Sequence, residues 1–117
     1  MRYMLLIYTR EGEMSAEDAE ATARTHHLVM QEASQRGVLE GAEPLTPTSA
    51  ATTVRHKDGK VLVTDGPFAE TKEQLAGYYI LNCENLDEAI AWAGKIPTTC
   101  GGSEGSVEIR PLRVMNG

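Results

Sequence analysis

The order of short apolar runs and capped helix patterns is the feature that most restricts the fold of this chain. The run YMLLIY at residues 3–8 lacks helical spacing and predicts a buried strand. Ser15 begins a capping pattern that predicts a helix starting near Ala16, and Gly37 supplies the stop. Residues 38–45 predict a second strand, so a strand–helix–strand unit opens the chain.

The second half repeats this order after an inserted hairpin. The runs ATTVRHK and KVLVT flank Asp58-Gly59, the dipeptide type that most strongly predicts a two-residue hairpin turn. The run AGYYILNC predicts the next strand, and Asn85 caps a predicted helix, LDEAIAWAGK, that ends before Pro97. The run SVEIRPL predicts a last strand.

This order predicts an α+β fold in one domain over residues 1–117, a ferredoxin-like split βαβ arrangement with an inserted β-hairpin. A sheet with one solvated face should have strands that alternate between apolar and polar residues. The runs YMLLIY and GYYIL are apolar on both faces. We therefore expect a second copy of the chain to cover the open face, giving a homodimer with a total interface above ~1,200 Å².

Charge and composition exclude several classes of protein. A net charge of −6 and a pI near 5.0 oppose binding to nucleic acid, which needs clustered Lys and Arg. The N-terminal apolar run is too short for a signal peptide or a membrane helix. Cys83 and Cys100 show no C-x-x-C spacing, which fits a reducing compartment. We expect a cytoplasmic protein with no nucleic-acid or membrane partner.

The stretch DGPFAETKEQ, residues 65–74, connects two predicted strands and contains the first candidate site residue. Gly66 and Pro67 stiffen the turn, so the carboxylate of Asp65 is held in a defined place. A rigid acid at a strand end can act as a base or orient a histidine. Alternatively, Asp65 bonds to backbone N–H groups of its own turn.

His26 is the second candidate catalytic residue, because its spacing places it on the inward face of the first helix. If it meets Asp65, the pair gives an oriented imidazole that can move protons near neutral pH. The alternative is a histidine of the core with one satisfied nitrogen. His56, beside the hairpin tip, is expected to be solvated. The three histidines have no ligand spacing, so we expect no structural metal.

Four further residues are candidates for ligand binding: Pro67, Phe68, Glu70 and Tyr79. Aromatic side chains can line a small apolar pocket with a phenol as its polar group. Tyr78 and Tyr79 point to opposite faces of a strand, so only one of them can serve the cleft. In the alternative, Phe68 fills the core beneath the turn and Glu70 belongs to a solvated rim. The segment CGGSEG is weak as an anion site because no P-loop lysine follows it.

The stretch DGPFAETKEQLAGYY, together with MRYMLLIY and DEAIAWAGKIP, resembles the YCII-related family, in particular its DGPF branch. The resemblance implies a dimeric α+β barrel with a small acidic cleft in each subunit. It also implies a catalytic pair of a helix-one histidine and an aspartate, and gene neighbourhoods with extracytoplasmic-function sigma factors. We therefore expect a cofactor-independent His/Asp lyase, hydrolase or isomerase. The alternatives are a non-catalytic ligand-binding or regulatory dimer linked to sigma-factor signalling, and a purely structural dimer.

Overall fold

Two antiparallel sheets and two helices make up the computed structural model, which describes residues 1–12, 14–98 and 105–115. In chain order the elements are β1 (Arg2–Thr9), α1 (Ala16–Gln35), β2 (Leu39–Pro44), a 3-10 turn (Thr48–Ala50), β3 (Thr52–Lys57), β4 (Lys60–Asp65), β5 (Gln74–Asn82), α2 (Leu86–Ala93) and β6 (Gly105–Pro111). The predicted mixed α+β architecture is confirmed. Within the described ranges, no helix combines the length and the apolar character needed to cross a bilayer.

The main sheet has the strand order β2-β5-β1-β6, and all of its neighbouring strands are antiparallel. Both helices contribute to a single core with one face of this sheet. From the central strand β1, Tyr3, Leu5 and Ile7 enter that core. From the helices, Val29 of α1 and Trp92 of α2 pack in the same cluster. Every second residue of β1 therefore enters the core, because successive side chains of a strand point to opposite faces of the sheet.

The helix ends follow the predicted capping signals. Ser15 Oγ accepts a hydrogen bond from the backbone N–H of Asp18 at 3.0 Å, which satisfies one free donor of the first turn of α1. Gly37 lies just beyond α1 with a φ of +72°, the left-handed conformation that ends helices. Asn85 Oδ1 accepts from the N–H of Glu88 at 2.9 Å and caps α2 in the same way. Short-range polar contacts therefore set these boundaries.

The opposite face of the main sheet carries further apolar side chains that are only half-buried. On β1 these are Met4, Leu6 and Tyr8, and on β5 they are Tyr78 and Ile80. The strand register pairs Met4 with Ile80 and Leu6 with Tyr78, so the five residues form one continuous patch. We call this patch the open face. Because the two helices pack on the other side, neither helix covers it.

The strands β3 and β4 form a separate two-stranded ribbon rather than an extension of the main sheet. Its turn has a φ of +51° at Asp58 and +76° at Gly59, which confirms the predicted two-residue hairpin turn and shows that both turn residues are left-handed. His56 is exposed on the ribbon, as predicted. The ribbon is linked to the body through the end of β2 and the start of β5.

Candidate functional site

A cavity of about 460 Å³ lies between the first half of α1 and the main sheet. This volume is within the range of sites that hold small molecules, ~300–1,000 Å³. Much of the wall is apolar, including Ile7 and Met30. The polar or ionisable side chains of the lining are Thr9, Thr22, His26, Glu43 and Tyr79. Glu43 is the only carboxylate that the described residues contribute to this lining, so the described part of the wall is less acidic than the cleft that the family resemblance implies.

The cavity exists because the sequence places small residues on both of its walls. Ala19 and Ala23 line it from α1, and Ala42 and Ala76 line it from the sheet. Gly77 has a more specific part, since a Cβ atom there would lie 2.8 Å from the backbone oxygen of a β2 residue in the same wall. Only glycine therefore lets β2 and β5 approach at this point without a shift of the backbone.

The polar centre of the cavity is a pair formed by His26 of α1 and Tyr79 of β5. His26 Nδ1 lies 2.8 Å from the Tyr79 hydroxyl oxygen, a full-strength hydrogen-bond distance. The two rings are 6.0 Å apart between centroids and tilted by 40°. Tyr79 is buried and His26 is half-buried, so the phenol contacts the imidazole on the side of the ring that faces the core. The described residues supply no hydrogen-bond partner for His26 Nε2.

Burial changes the proton affinity of both members of the pair. It lowers the pKa of His26 below its ordinary value, so the imidazole is neutral at neutral pH. It raises the pKa of Tyr79 to about 12, so the phenol keeps its proton. When Tyr79 donates to Nδ1, Nε2 carries the ring proton and donates; when Nδ1–H donates to Tyr79, Nε2 is a free acceptor. The pair can therefore meet a ligand as either donor or acceptor.

The structure does not bring the other candidate site residues into this cavity. Asp65 is exposed at the end of β4, and its carboxylate makes no hydrogen bond or ion pair with any described residue. Pro67, Phe68 and Glu70 also lie outside the cavity lining. Phe68 is 72% exposed and therefore does not fill the core. Of the six candidates, only His26 and Tyr79 converge within one chain.

The Asp-Gly-Pro-Phe turn is held by the ribbon. Gly66 N–H donates to the Ala51 carbonyl at 2.7 Å, and the Thr53 hydroxyl donates to the Gly66 carbonyl at 2.7 Å. Arg55 donates to the carbonyl of Phe68. Gly66 has a φ of +104°, a conformation that residues with a Cβ rarely adopt. The shape of this corner therefore depends on Gly66 and on backbone hydrogen bonds, and not on the carboxylate of Asp65.

Replacing Gly66 with alanine is expected to lower the free energy of unfolding by about 1–3 kcal/mol, because a Cβ forces strain at this φ. The adjacent substitution Asp65→Ala is the matched control and should change stability by less than about 0.5 kcal/mol, since its exposed side chain has no partner among the described residues. Urea denaturation of both variants measures the difference. Equal losses in the two variants would contradict this account of the turn.

The comparison with known proteins places the chain in a family. A model of the YCII-related domain matches residues 1–116. The chain belongs to the YCII-related family. It is also similar to an uncharacterised protein of Rhizobium meliloti (strain 1021), with 43% identity over 115 residues that cover 96% of this chain and 92% of the relative. The YCII-related assignment thus spans both helices and both sheets of the described structure.

Several cavity residues of this YCII-related chain were not among the sequence candidates: Thr9, Thr22, Glu43 and Gly77. Thr9 ends β1 and Glu43 lies near the end of β2, so their shared location follows only from the strand order. The isolated glycine inside the AGYYIL strand could have indicated Gly77 from the sequence, since a glycine within a strand often marks a place where another backbone segment comes close. The segment CGGSEG lies outside the described residues except for Gly105.

Proposed function

We propose that this YCII-related protein is a homodimer that binds a small, mainly apolar molecule with one hydrogen-bonding group in each His26–Tyr79 cavity. The observation that carries the proposal is a single neutral His–Tyr pair in a largely apolar cavity of about 460 Å³. Small-molecule sites have this composition, in which apolar walls supply affinity and a few polar groups set orientation. A hydroxyl, carbonyl or phenol group of the ligand would meet Nε2 of His26.

Proton transfer by His26 is the second candidate, as a lyase, hydrolase or isomerase that needs no cofactor. It is favoured by the lowered pKa of His26, because a neutral imidazole can accept a proton at neutral pH. The Tyr79 hydroxyl orients the ring in the manner of the third group of a catalytic triad. If Asp65 takes part, it would have to come from a second subunit, because it does not line the cavity of its own chain.

The dimer proposal is a ferredoxin-like subunit paired into a dimeric α+β barrel. The strand order β2-β5-β1-β6 supports it, as does the position of both helices on one face of the sheet. Burying the open face against a second copy would remove an apolar patch from water. We further assign the chain to the DGPF branch on the sequence DGPFAETKE and on the turn that Gly66 forms.

A thermal-shift screen with phenols, aromatic carboxylic acids and short-chain ketones tests the binding proposal. Compounds that raise the melting temperature of the native protein are expected to lose that effect with His26→Leu, because the cavity then lacks its polar centre. The matched control is His27→Leu, which changes the exposed neighbour on the same helix and should leave the effect intact.

Two results would reject the proposal. One is the absence of any stabilising compound across the three chemical classes, and the other is equal stabilisation of the His26→Leu and native proteins. Sedimentation of the native protein at micromolar concentration tests the homodimer separately, and a stable monomer would contradict it. A hit that is also converted to product by the native protein, but not by His26→Leu, would select the catalytic candidate.

A further inference from the structure

One side of the ribbon exposes three valines that neither described helix covers. The strand register pairs Val54 with Val63 and His56 with Val61, so these four residues share one side of the ribbon. The three valines of this valine face are 55% (Val54), 59% (Val61) and 63% (Val63) exposed. Such β-branched residues are favoured where another surface covers the sheet. A row of them exposed on a strand pair therefore indicates a surface that a partner could cover.

The ribbon also stands away from the rest of the chain. Among the described residues, its strands make extensive contacts only with each other, and we call the main sheet with its two helices the body. The radius of gyration is 16.1 Å, whereas a compact domain of this length has about 13.4 Å. An isolated two-stranded hairpin is marginally stable in water. A surface packed against the valines would therefore stabilise a ribbon of this kind.

Charge favours a second copy of this chain as that surface. Arg55, Lys57 and Lys60 outnumber the two aspartates of the ribbon, giving it a formal charge of +1 within a chain of −6. The rest of the chain therefore carries −7. In the register, Arg55 faces Leu62 and Lys57 faces Lys60, so these cations lie on the side opposite the valines and at its tip. A cationic arm on an anionic body is attracted to the body of another copy.

The area that a stable dimer needs also favours the ribbon as part of the interface. From strand rise and spacing, the whole four-stranded sheet face that contains the open face covers about 500 Å² on each copy, so a contact through that sheet face alone buries about 1,000 Å². Stable interfaces bury about 1,200–2,000 Å². The valine face covers about 200 Å², and two reciprocal ribbon contacts would add about 800 Å². With the ribbons, the interface reaches the usual size.

We propose that the ribbons are reciprocal arms, each packing its valine face against the body of a second copy of this chain. The inference rests on the homodimer of the proposed function and adds a contact beyond the open face. Two-fold symmetry makes both arm contacts identical, as in other isologous dimers. Since each ribbon leaves its own body where β2 ends and β5 begins, it is anchored at the end of the sheet where Pro44 and Ala76 line the cavity.

The double variant Val61→Thr/Val63→Thr tests the arm contact. Threonine keeps the β-branched shape that suits a strand but places a hydroxyl in the apolar contact. We expect the dissociation constant of the dimer, measured by analytical ultracentrifugation across a dilution series, to rise at least tenfold. The control Leu62→Thr lies on the opposite side of the same strand and should change that constant less than threefold.

The outcomes separate this inference from the homodimer itself. A monomeric native protein at micromolar concentration would reject both. A native dimer whose dissociation constant is unchanged in the double variant, but rises with Leu6→Glu on the open face, would reject the arm contact alone. If the double variant fails to fold, amide hydrogen exchange of the ribbon in the native protein tests the arm contact instead. Its amides should exchange more slowly in the dimer than after dilution to monomer, and equally fast exchange in both would overturn the proposal.

Discussion

Replacing Leu5 with alanine is expected to lower the free energy of unfolding by about 2–5 kcal/mol. Leu5 is 0% exposed at the centre of β1, where the register places it beside Tyr79 on one neighbouring strand and Ile109 on the other. Removing its isobutyl group loses apolar burial and leaves a space that two paired strands cannot close. Urea denaturation at fixed protein concentration measures the loss.

The matched control for this core prediction is Leu28→Ala on α1. Leu28 is an exposed residue of the same type, so the expected change is within about 0.5 kcal/mol. If dimerisation couples to folding, both variants must be compared at the same concentration, since the apparent stability of a dimer depends on it. A Leu5→Ala loss below about 1 kcal/mol would contradict the packing described for the helix-covered face of the sheet.

Replacing Tyr79 with phenylalanine is expected to lower the free energy of unfolding by about 1–2 kcal/mol and to weaken ligand binding in the cavity. The substitution keeps the ring but removes the hydroxyl that lies 2.8 Å from His26 Nδ1. The half-buried imidazole then loses its only hydrogen-bond partner among the described residues, so no hydrogen bond holds the orientation of its ring. Urea denaturation measures the change in the free energy of unfolding. Titration with a compound found in the thermal-shift screen measures the change in its dissociation constant.

Tyr78→Phe is the control for this pair, because Tyr78 lies next in sequence but on the open face. It should leave binding in the cavity unchanged, and any effect should fall on dimerisation. Ultraviolet titration offers a second measurement, since the phenol assigned a pKa of about 12 should be absent from the titration of the Tyr79→Phe variant. If Tyr78→Phe lost ligand binding and Tyr79→Phe kept it, the result would contradict the placement of Tyr79 in the cavity.

Local signals predicted the elements of this protein well, because their causes act over a few residues. Ser15 and Asn85 cap the helices through contacts three residues away, and Asp58-Gly59 sets the hairpin by its own backbone preferences. The family resemblance likewise rests on contiguous residues, and the YCII-related assignment is confirmed. These features need no knowledge of which segments meet in space.

The candidate site was only partly predictable for the opposite reason. The spacing of the first helix correctly marked His26 as inward, but Asp65, the acid that the sequence suggested as its partner, lies in the other sheet. The actual partner of His26 is Tyr79, which is 53 positions away. Both tyrosines of the GYYIL strand fit the sequence argument equally well, and only the packing of α1 on the sheet shows that Tyr79 is the one that faces this helix.

The sequence by itself thus determined the order of the elements, the starts of both helices, the hairpin turn and the family, whereas α2 ends at Ala93, two residues before the end of the predicted LDEAIAWAGK helix. The tertiary structure decided that His26 meets Tyr79 in a largely apolar cavity, and that the DGPF turn belongs to an exposed ribbon. The physical reason is the range of the interactions. Caps and turns depend on neighbours in the chain, whereas a cavity or an uncovered valine face depends on how distant strands pair and which surfaces they leave unpacked.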